Sequence, residues 1–244
     1  MTDKRNINIF SGIPNCITII GLICGVLAVV FSFECDNYIC TLKGYEWTWI
    51  FIGIALICDF CDGLSARLLN AYSELGKNLD SLSDLVSFGL APCFLIYNII
   101  TNYHTGWSFI PYITLIIPVT GALRLARFNI DPNQKTVFNG LPIPANAIFW
   151  IGFSPLLIEN GEMPAWITVL ALIVISFLMI TPMPMFSLKI KNLSLADISN
   201  VLRLILIVTT IILIVFLRIQ GLMWAILVYI LLSMWGFSQL SKSK

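Results

Sequence analysis

Long apolar stretches alternate with short polar loops along the chain, and this pattern predicts membrane-spanning helices. Each stretch is close to the ~20 residues that an α-helix needs to cross a bilayer. The stretches cover residues 13–33, 47–69, 82–100, 109–125, 143–158, 166–180, 201–217 and 222–237. The sequence therefore predicts an all-α polytopic membrane protein with about eight transmembrane helices, forming a single integral membrane domain over residues 1–244.

The composition agrees with a chain that lives in a lipid bilayer. Of its 244 residues, 58% are hydrophobic and only 11% are charged, and the mean hydropathy is +0.91. Soluble domains carry about 25% charged residues, so this chain could not cover a water-facing surface. The composition excludes a soluble globule, a disordered chain and a nucleic-acid partner.

The basic residues predict how the chain crosses the membrane. With a cytoplasmic N-terminus, 12 of the 14 Lys and Arg residues fall on the cytoplasmic side, and only Lys43 and Arg218 fall outside. Cytoplasmic loops are generally the lysine- and arginine-rich ones. We therefore expect both termini to be cytoplasmic in a cell (inner) membrane. The first apolar stretch has no small-residue cleavage site after it, so we expect it to be a retained helix.

Four aspartates lie at or near membrane depth around the end of the second stretch. Asp59 and Asp62 are three residues apart, and Asp80 and Asp84 are four apart, so each pair shares one face of a helix. Ionisable groups in a membrane are costly unless partnered, which makes each one a functional candidate. A tight turn around Gly76 would bring the two pairs together. The competing interpretation, solvated helix caps, explains one or two of the four.

Carboxylates that converge at low dielectric repel one another, so either some of them are protonated or cations lie between them. All-oxygen ligands suit Mg²⁺ or Mn²⁺, with Ca²⁺ possible, and do not suit zinc. Gly63 would allow a ligand to approach the backbone, Ala66 keeps the same face open, and Arg67 can bind a phosphate. These features favour a two-metal site for phosphoryl-group chemistry at the cytoplasmic boundary.

The aspartates belong to a longer motif that resembles the full signature of the CDP-alcohol phosphatidyltransferase family. The motif is Asp59-x2-Asp62-Gly63-x2-Ala66-Arg67-x8-Gly76-x3-Asp80-x3-Asp84. Pro14-Asn15-x2-Thr18 resembles the family's N-terminal element, and residues 80–92, 124–129 and 138–145 resemble the branch that uses serine. The resemblance implies the CDP-alcohol phosphatidyltransferase fold. Its catalytic region would cover residues 14–145, and the remaining transmembrane helices would cover residues 146–244.

The resemblance also implies a reaction and residue roles. A phosphatidyl group would pass from CDP-diacylglycerol to L-serine, with release of CMP. Asp59, Asp62 and Asp80 would bind the metals, and Asp84 would complete the site and act as general base. The residues expected to bind CDP-diacylglycerol are Asn15, Thr18, Gly63, Ala66, Arg67, Ser73 and Gly76. Homodimers are usual in the family, so we expect a homodimer.

A second basic cluster has two interpretations. Arg124, Arg127 and Lys135 lie at and after the cytoplasmic end of the fourth stretch. They either anchor the chain to anionic lipid headgroups or bind the carboxylate of serine or the phosphates of the donor. Asn129 is a further candidate contact for the acceptor.

Two functional alternatives stay open at this point. The same chemistry could use another acceptor, glycerol 3-phosphate or inositol phosphate, which would need extra cations for its phosphate. A divalent-cation transporter is a more distant alternative, because all four aspartates lie toward one face and a transporter needs a route to both. Cys35 and Cys40 share a predicted outer loop in which a disulfide is possible.

Overall fold

The computed structural model describes residues 12–104, 106–130, 138–159, 163–185 and 198–242. In the first part of the chain, three long helical rods are joined by a hairpin and a short loop. Their elements are α1 (Gly12–Phe33), β1 (Tyr38–Ile39), β2 (Leu42–Lys43), α2 (Gly44–Leu68), α3 (Glu74–Asp84), a π-helical segment (Leu85–Leu90) and α4 (Ala91–Tyr103).

Helices also dominate the rest of the described chain. The elements are α5 (Ile110–Ile113), α6 (Ile116–Ile130), β3 (Phe138–Asn139), α7 (Ile143–Glu159), α8 (Ala165–Ile180), β4 (Pro184–Met185), α9 (Ile198–Leu217) and α10 (Gln220–Lys242). The two strand pairs, β1 with β2 and β3 with β4, are both antiparallel.

Eight apolar helices coincide with the eight predicted stretches. Five in the described chain are long and apolar enough to cross a membrane: Gly12–Phe33, Gly44–Leu68, Glu74–Tyr103, Ile110–Ile130 and Asn200–Leu217. Three shorter ones complete the set: Ile143–Glu159, Ala165–Ile180 and Gln220–Gly236. Many of their large apolar side chains point outward, as lipid-facing helices require. The prediction of an all-α polytopic membrane protein is confirmed.

The chain forms two compact units that divide between Leu95 and Ile96. In the first unit, one face of α1 consists of small buried residues that admit α2 and the α3–π rod. This face, the α1 seam, comprises Thr18, Gly21, Gly25, Ala28 and Ser32. Small residues allow helix backbones in a membrane to approach closely. A β-carbon at Gly25 would overlap Ser87 Oγ and lie 2.9 Å from Ser87 Cα, so this position requires glycine.

The β1–β2 hairpin between α1 and α2 is tied down by polar contacts. Lys43 Nζ pairs with Asp36 Oδ1 at 2.5 Å, and the Lys43 backbone N–H donates to the Glu46 carboxylate at 2.8 Å, which caps α2. Cys35 and Cys40 are both free thiols. Burial raises the pKa of Cys35 to about 12, so its thiol stays protonated at neutral pH.

In the second unit, α7 is the buried central helix. Pro155 has no N–H for the Ile151 carbonyl, and the Ser154 hydroxyl donates to that carbonyl at 2.7 Å instead. His104 Nε2 lies 2.8 Å from the Leu157 carbonyl near the end of α7. Because a carbonyl only accepts, Nε2 carries the proton. His104 therefore has a structural role as a cap, which its isolated position in the sequence did not indicate.

The segment that enters α7 is held against the end of α8. Gly140 has φ +78, a conformation that favours glycine. Its N–H donates to Met183 O at 2.8 Å, and the Leu141 N–H donates to Leu178 O at 2.9 Å. Together with the pairing of Asn139 with Pro184, these bonds fix the position at which α7 begins.

Candidate active site

Three carboxylates from two helices converge in the first unit. Asp59 and Asp62 lie in the last three turns of α2, and Asp80 lies in α3. One oxygen from each lies within 4.8 Å of the other two. Asp62 is buried and the other two are half-buried, so the three negative charges face one another with little water to screen them.

Asp84 is not part of this group of three, although it lies among the described residues. It is the last residue of α3, one turn beyond Asp80, at the point where the π-helical segment begins. π-Helical turns often occur at functional sites. Its predicted roles, as a fourth ligand and as general base, stay predictions.

The prediction of a turn around Gly76 is wrong, because the chain turns earlier, between the end of α2 and Ser73. Asn70, with φ 48, takes the left-handed conformation that asparagine tolerates better than most residues. Ser73 then caps α3: its Oγ accepts from the Gly76 N–H at 2.9 Å. Gly76 therefore lies inside the first turn of α3, and the loop over residues 69–73 brings α3 beside α2.

The start of α1 borders the carboxylate cluster. The Thr18 hydroxyl lies 2.5 Å from Asp62 Oδ2 and 3.0 Å from Pro14 O, and the carboxylate is the closer acceptor for its one proton. Asn15 Oδ1 lies 2.8 Å from the position that a β-carbon at Gly76 would occupy. All three residues are predicted to bind CDP-diacylglycerol. Thr18 borders the carboxylate cluster, and Asn15 and Gly76 border each other.

The end of α2 provides an open surface beside the positively charged side chain of Arg67. Gly63 and Ala66 are half-buried and Arg67 is exposed. A β-carbon at Gly63 would meet Arg67 Nη2 at 3.9 Å, an ordinary van der Waals distance. The guanidinium therefore lies over the glycine face. A planar guanidinium beside exposed backbone suits the recognition of phosphate oxygens.

The residues present fit a divalent cation. The three converging groups are all carboxylates, so the donor set offers only oxygen, which Mg²⁺, Mn²⁺ and Ca²⁺ prefer, while structural zinc sites use Cys and His. Without a cation the three charges would repel one another at short range. Asp59, Asp62 and Asp80 are therefore the residues that would hold it.

Arg124 and Arg127 of the second basic cluster lie on α6, in the second unit. Arg127 is exposed and its Nη1 donates to Ile180 O at 2.9 Å, so it caps the end of α8. Arg124 and Asn129 are half-buried, and Lys135 lies outside the described residues.

Comparison with known proteins agrees with this geometry. Residues 11–180 match the family model described as CDP-alcohol phosphatidyltransferase. These residues include the whole carboxylate cluster and the α1 element that borders it. The chain belongs to the CDP-alcohol phosphatidyltransferase family.

Several similar proteins carry the name CDP-diacylglycerol–serine O-phosphatidyltransferase. The protein of Bacillus subtilis (strain 168) is 37% identical over 157 residues, which cover 61% of this chain and 81% of that protein. The Methanocaldococcus jannaschii protein is 37% identical over 145 residues, covering 59% of this chain and 61% of the relative. The Mycobacterium bovis protein is 30% identical over 167 residues, which cover 65% of this chain and 54% of that protein.

Proposed function

We propose that this chain transfers the phosphatidyl group of CDP-diacylglycerol to L-serine, giving phosphatidylserine and CMP. The observation that carries the proposal is the convergence of Asp59, Asp62 and Asp80 within 4.8 Å, on the residues of the family signature. The choice of serine is supported by the relatives named for that reaction, which include the Bacillus subtilis protein.

The donor binds along the end of α2 and the starts of α1 and α3. Arg67 binds the diphosphate and Gly63 leaves room for it. Asn15, Thr18, Ala66, Ser73 and Gly76 border the CDP moiety. Asp59, Asp62 and Asp80 would hold a divalent cation, Mg²⁺ or Mn²⁺, which would supply positive charge to stabilise the developing charge of the CMP leaving group. This arrangement is supported by the contacts of Asn15 with Gly76 and of Arg67 with Gly63.

Asp84 accepts the proton of the serine hydroxyl as that oxygen attacks the phosphorus of the phosphatidyl group. A new P–O bond forms to serine, the P–O bond to CMP breaks, and CMP leaves as the phosphate anion. A serine hydroxyl is a weak nucleophile, so a carboxylate placed to take its proton during attack contributes substantially to the rate. The position of Asp84 one turn beyond Asp80 supports this role.

Arg124 binds the carboxylate of serine, with Asn129 and Lys135 as weaker contacts. Half-burial of Arg124 supports this role, because an anchor to lipid headgroups would be exposed. Arg127 is the weaker candidate, since its guanidinium already caps α8. The active site opens to the cytoplasmic face of the cell (inner) membrane, with both termini on that side, in agreement with the loop charges. The family resemblance supports a homodimer.

An assay of the purified protein with CDP-diacylglycerol tests the proposal. L-serine, glycerol 3-phosphate and inositol phosphate are offered in turn, with and without EDTA, and CMP release is measured. Of the three acceptors, we expect only L-serine to support CMP release. This release should be lost in EDTA and restored by excess Mg²⁺ or Mn²⁺. Turnover with a phosphorylated acceptor and none with serine would contradict the proposed acceptor.

A further inference from the structure

The three helices of the candidate site meet at Gly21, in the α1 seam. A β-carbon at Gly21 would lie 3.1 Å from Cys58 Cβ on α2 and 3.8 Å from Ser83 Oγ on α3. Gly21 and Ser83 are buried and Cys58 is half-buried. These three residues, the Gly21 junction, are the point of close approach between α1, α2 and α3.

The Gly21 junction lies within about one helical turn of the cluster residues on α2 and α3, and of Thr18 on α1. Gly21 follows Thr18 by three residues, Cys58 lies next to Asp59 and four residues before Asp62, and Ser83 follows Asp80 by three. At 1.5 Å per residue, these separations are at most about 6 Å along the helix axis. The spacing of the helices at the junction therefore sets the spacing of the cluster side chains.

Two serine hydroxyls fix the rod that carries Asp80 and Asp84 against α1. Ser83 Oγ donates to Thr18 O at 3.4 Å, and Ser87 Oγ donates to Gly21 O at 3.3 Å. Both serines are buried, so the bonds form away from water. The first bond reaches the backbone of Thr18, whose hydroxyl binds Asp62. A shift of α3 along α1 would break these bonds and move Asp80 relative to Asp62.

We propose that the Gly21 junction positions the three carboxylates for cation binding, with Gly21 and Ser83 as its positioning residues. This inference rests on the proposed function only through the cation site. Binding sites must hold their ligands within about 0.5 Å of the productive geometry. A methyl group at Gly21, 3.1 Å from Cys58 Cβ, would force α1 and α2 apart by a few tenths of an ångström, which is a shift of that order.

The chain offers matched controls for both substitutions. Gly53 lies on α2, and no heavy atom of the described chain beyond its own helix lies within 4 Å of a β-carbon placed there. Gly53→Ala is therefore the control for Gly21→Ala. Ser81 lies on α3, but its hydroxyl donates to Lys77 O of its own helix at 3.1 Å. Ser81→Ala is the control for Ser83→Ala, which removes a hydroxyl without adding bulk.

The test is Mn²⁺ binding by the purified full chain, measured from the EPR signal of free Mn²⁺ without substrates. Thermal unfolding in EDTA reports the fold separately. Loss of a group that orients a metal ligand typically weakens metal affinity by about 10–100-fold. We expect at least a tenfold higher Kd for Gly21→Ala and Ser83→Ala, while Gly53→Ala and Ser81→Ala stay within about twofold of the wild type.

An unchanged Kd in folded Ser83→Ala protein would overturn the inference, whatever happens to Gly21→Ala. Equal weakening by the controls would also overturn it, since the effect would then be a general response to mutation. The measurement does not need turnover. A wild type that binds Mn²⁺ but fails to transfer the phosphatidyl group to serine would contradict the proposed function and leave this test intact.

Discussion

The Thr18 hydroxyl lies 2.5 Å from Asp62 Oδ2, joining α1 to the carboxylate cluster across 44 residues of sequence. Both residues are buried, with exposed fractions of 5% for Thr18 and 6% for Asp62. A hydrogen bond to a charged acceptor is stronger than one between neutral groups, and it orients the carboxylate. Thr18 therefore orients the carboxylate of Asp62, a proposed cation ligand, whether or not it also borders the CDP pocket.

Removal of the Thr18 hydroxyl tests this support. Thr18→Val keeps the shape of the side chain and leaves Asp62 without its donor, whereas Thr18→Ser keeps the donor. We expect Thr18→Val to lower kcat/KM by about 10–100-fold, the usual effect of losing a hydrogen bond that orients a metal-binding carboxylate. CMP release at saturating Mn²⁺ is the measurement. Equal activity of the valine and serine variants would contradict a role for the hydroxyl.

The close approach of Gly76 to Asn15 makes a second prediction. A β-carbon at Gly76 would lie 2.8 Å from Asn15 Oδ1, so Gly76→Ala must displace the asparagine. Because Asn15 borders the donor pocket in our proposal, we expect a higher KM for CDP-diacylglycerol and a smaller change for serine. Steady-state kinetics with each substrate varied in turn measure both. A rise confined to the serine KM would count against the donor assignment.

Asp84→Asn tests the proposed base. The amide keeps the size of the side chain but cannot accept the serine proton as a carboxylate does. We expect the loss of general-base catalysis, typically about 10²–10⁴-fold in kcat, with donor binding largely intact. Binding of CDP-diacylglycerol by the variant is measured in parallel with CMP release. Near-normal turnover would remove Asp84 from the mechanism.

Arg124→Ala separates the two interpretations of the second basic cluster. Loss of a cation that binds the acceptor carboxylate would raise the KM for serine more than the KM for CDP-diacylglycerol. Arg127→Ala is the comparison, since Arg127 caps α8 through Ile180 O and its loss should act mainly on thermal stability. A larger effect of Arg124→Ala on the donor KM would contradict acceptor binding.

Local patterns in the sequence predicted the helices and the convergence of carboxylates from two of them. Hydropathy marks the apolar helices because each must satisfy its own backbone in lipid, and the i, i+3 spacing of Asp59 and Asp62 places both on one face. The contact of Thr18 with Asp62 depends on how α1 packs against α2. Hydropathy does not encode that register, so the contact could not be predicted.

The misplaced turn and the role of Arg127 have similar causes. Glycine suggested a turn at Gly76, but Asn70 can adopt φ > 0 as well, and Ser73 is a strong helix cap. The contact of Arg127 with the end of α8 could not be predicted, because charge patterns do not reveal that the Ile180 carbonyl lies within its reach. Both outcomes depend on competition between several local preferences and on tertiary contacts.

The central claim is that Asp59, Asp62 and Asp80 together hold a divalent cation. Its most direct test is Mn²⁺ binding by the purified protein and by the single variants Asp59→Asn, Asp62→Asn and Asp80→Asn, with folding verified by thermal unfolding in EDTA. We predict that the wild type binds Mn²⁺ and that each variant binds it at least tenfold more weakly. Losing a ligand should weaken metal affinity at least as much as losing a residue that orients a ligand, which costs about 10–100-fold. Mn²⁺ binding that none of the three substitutions alters would contradict the claim.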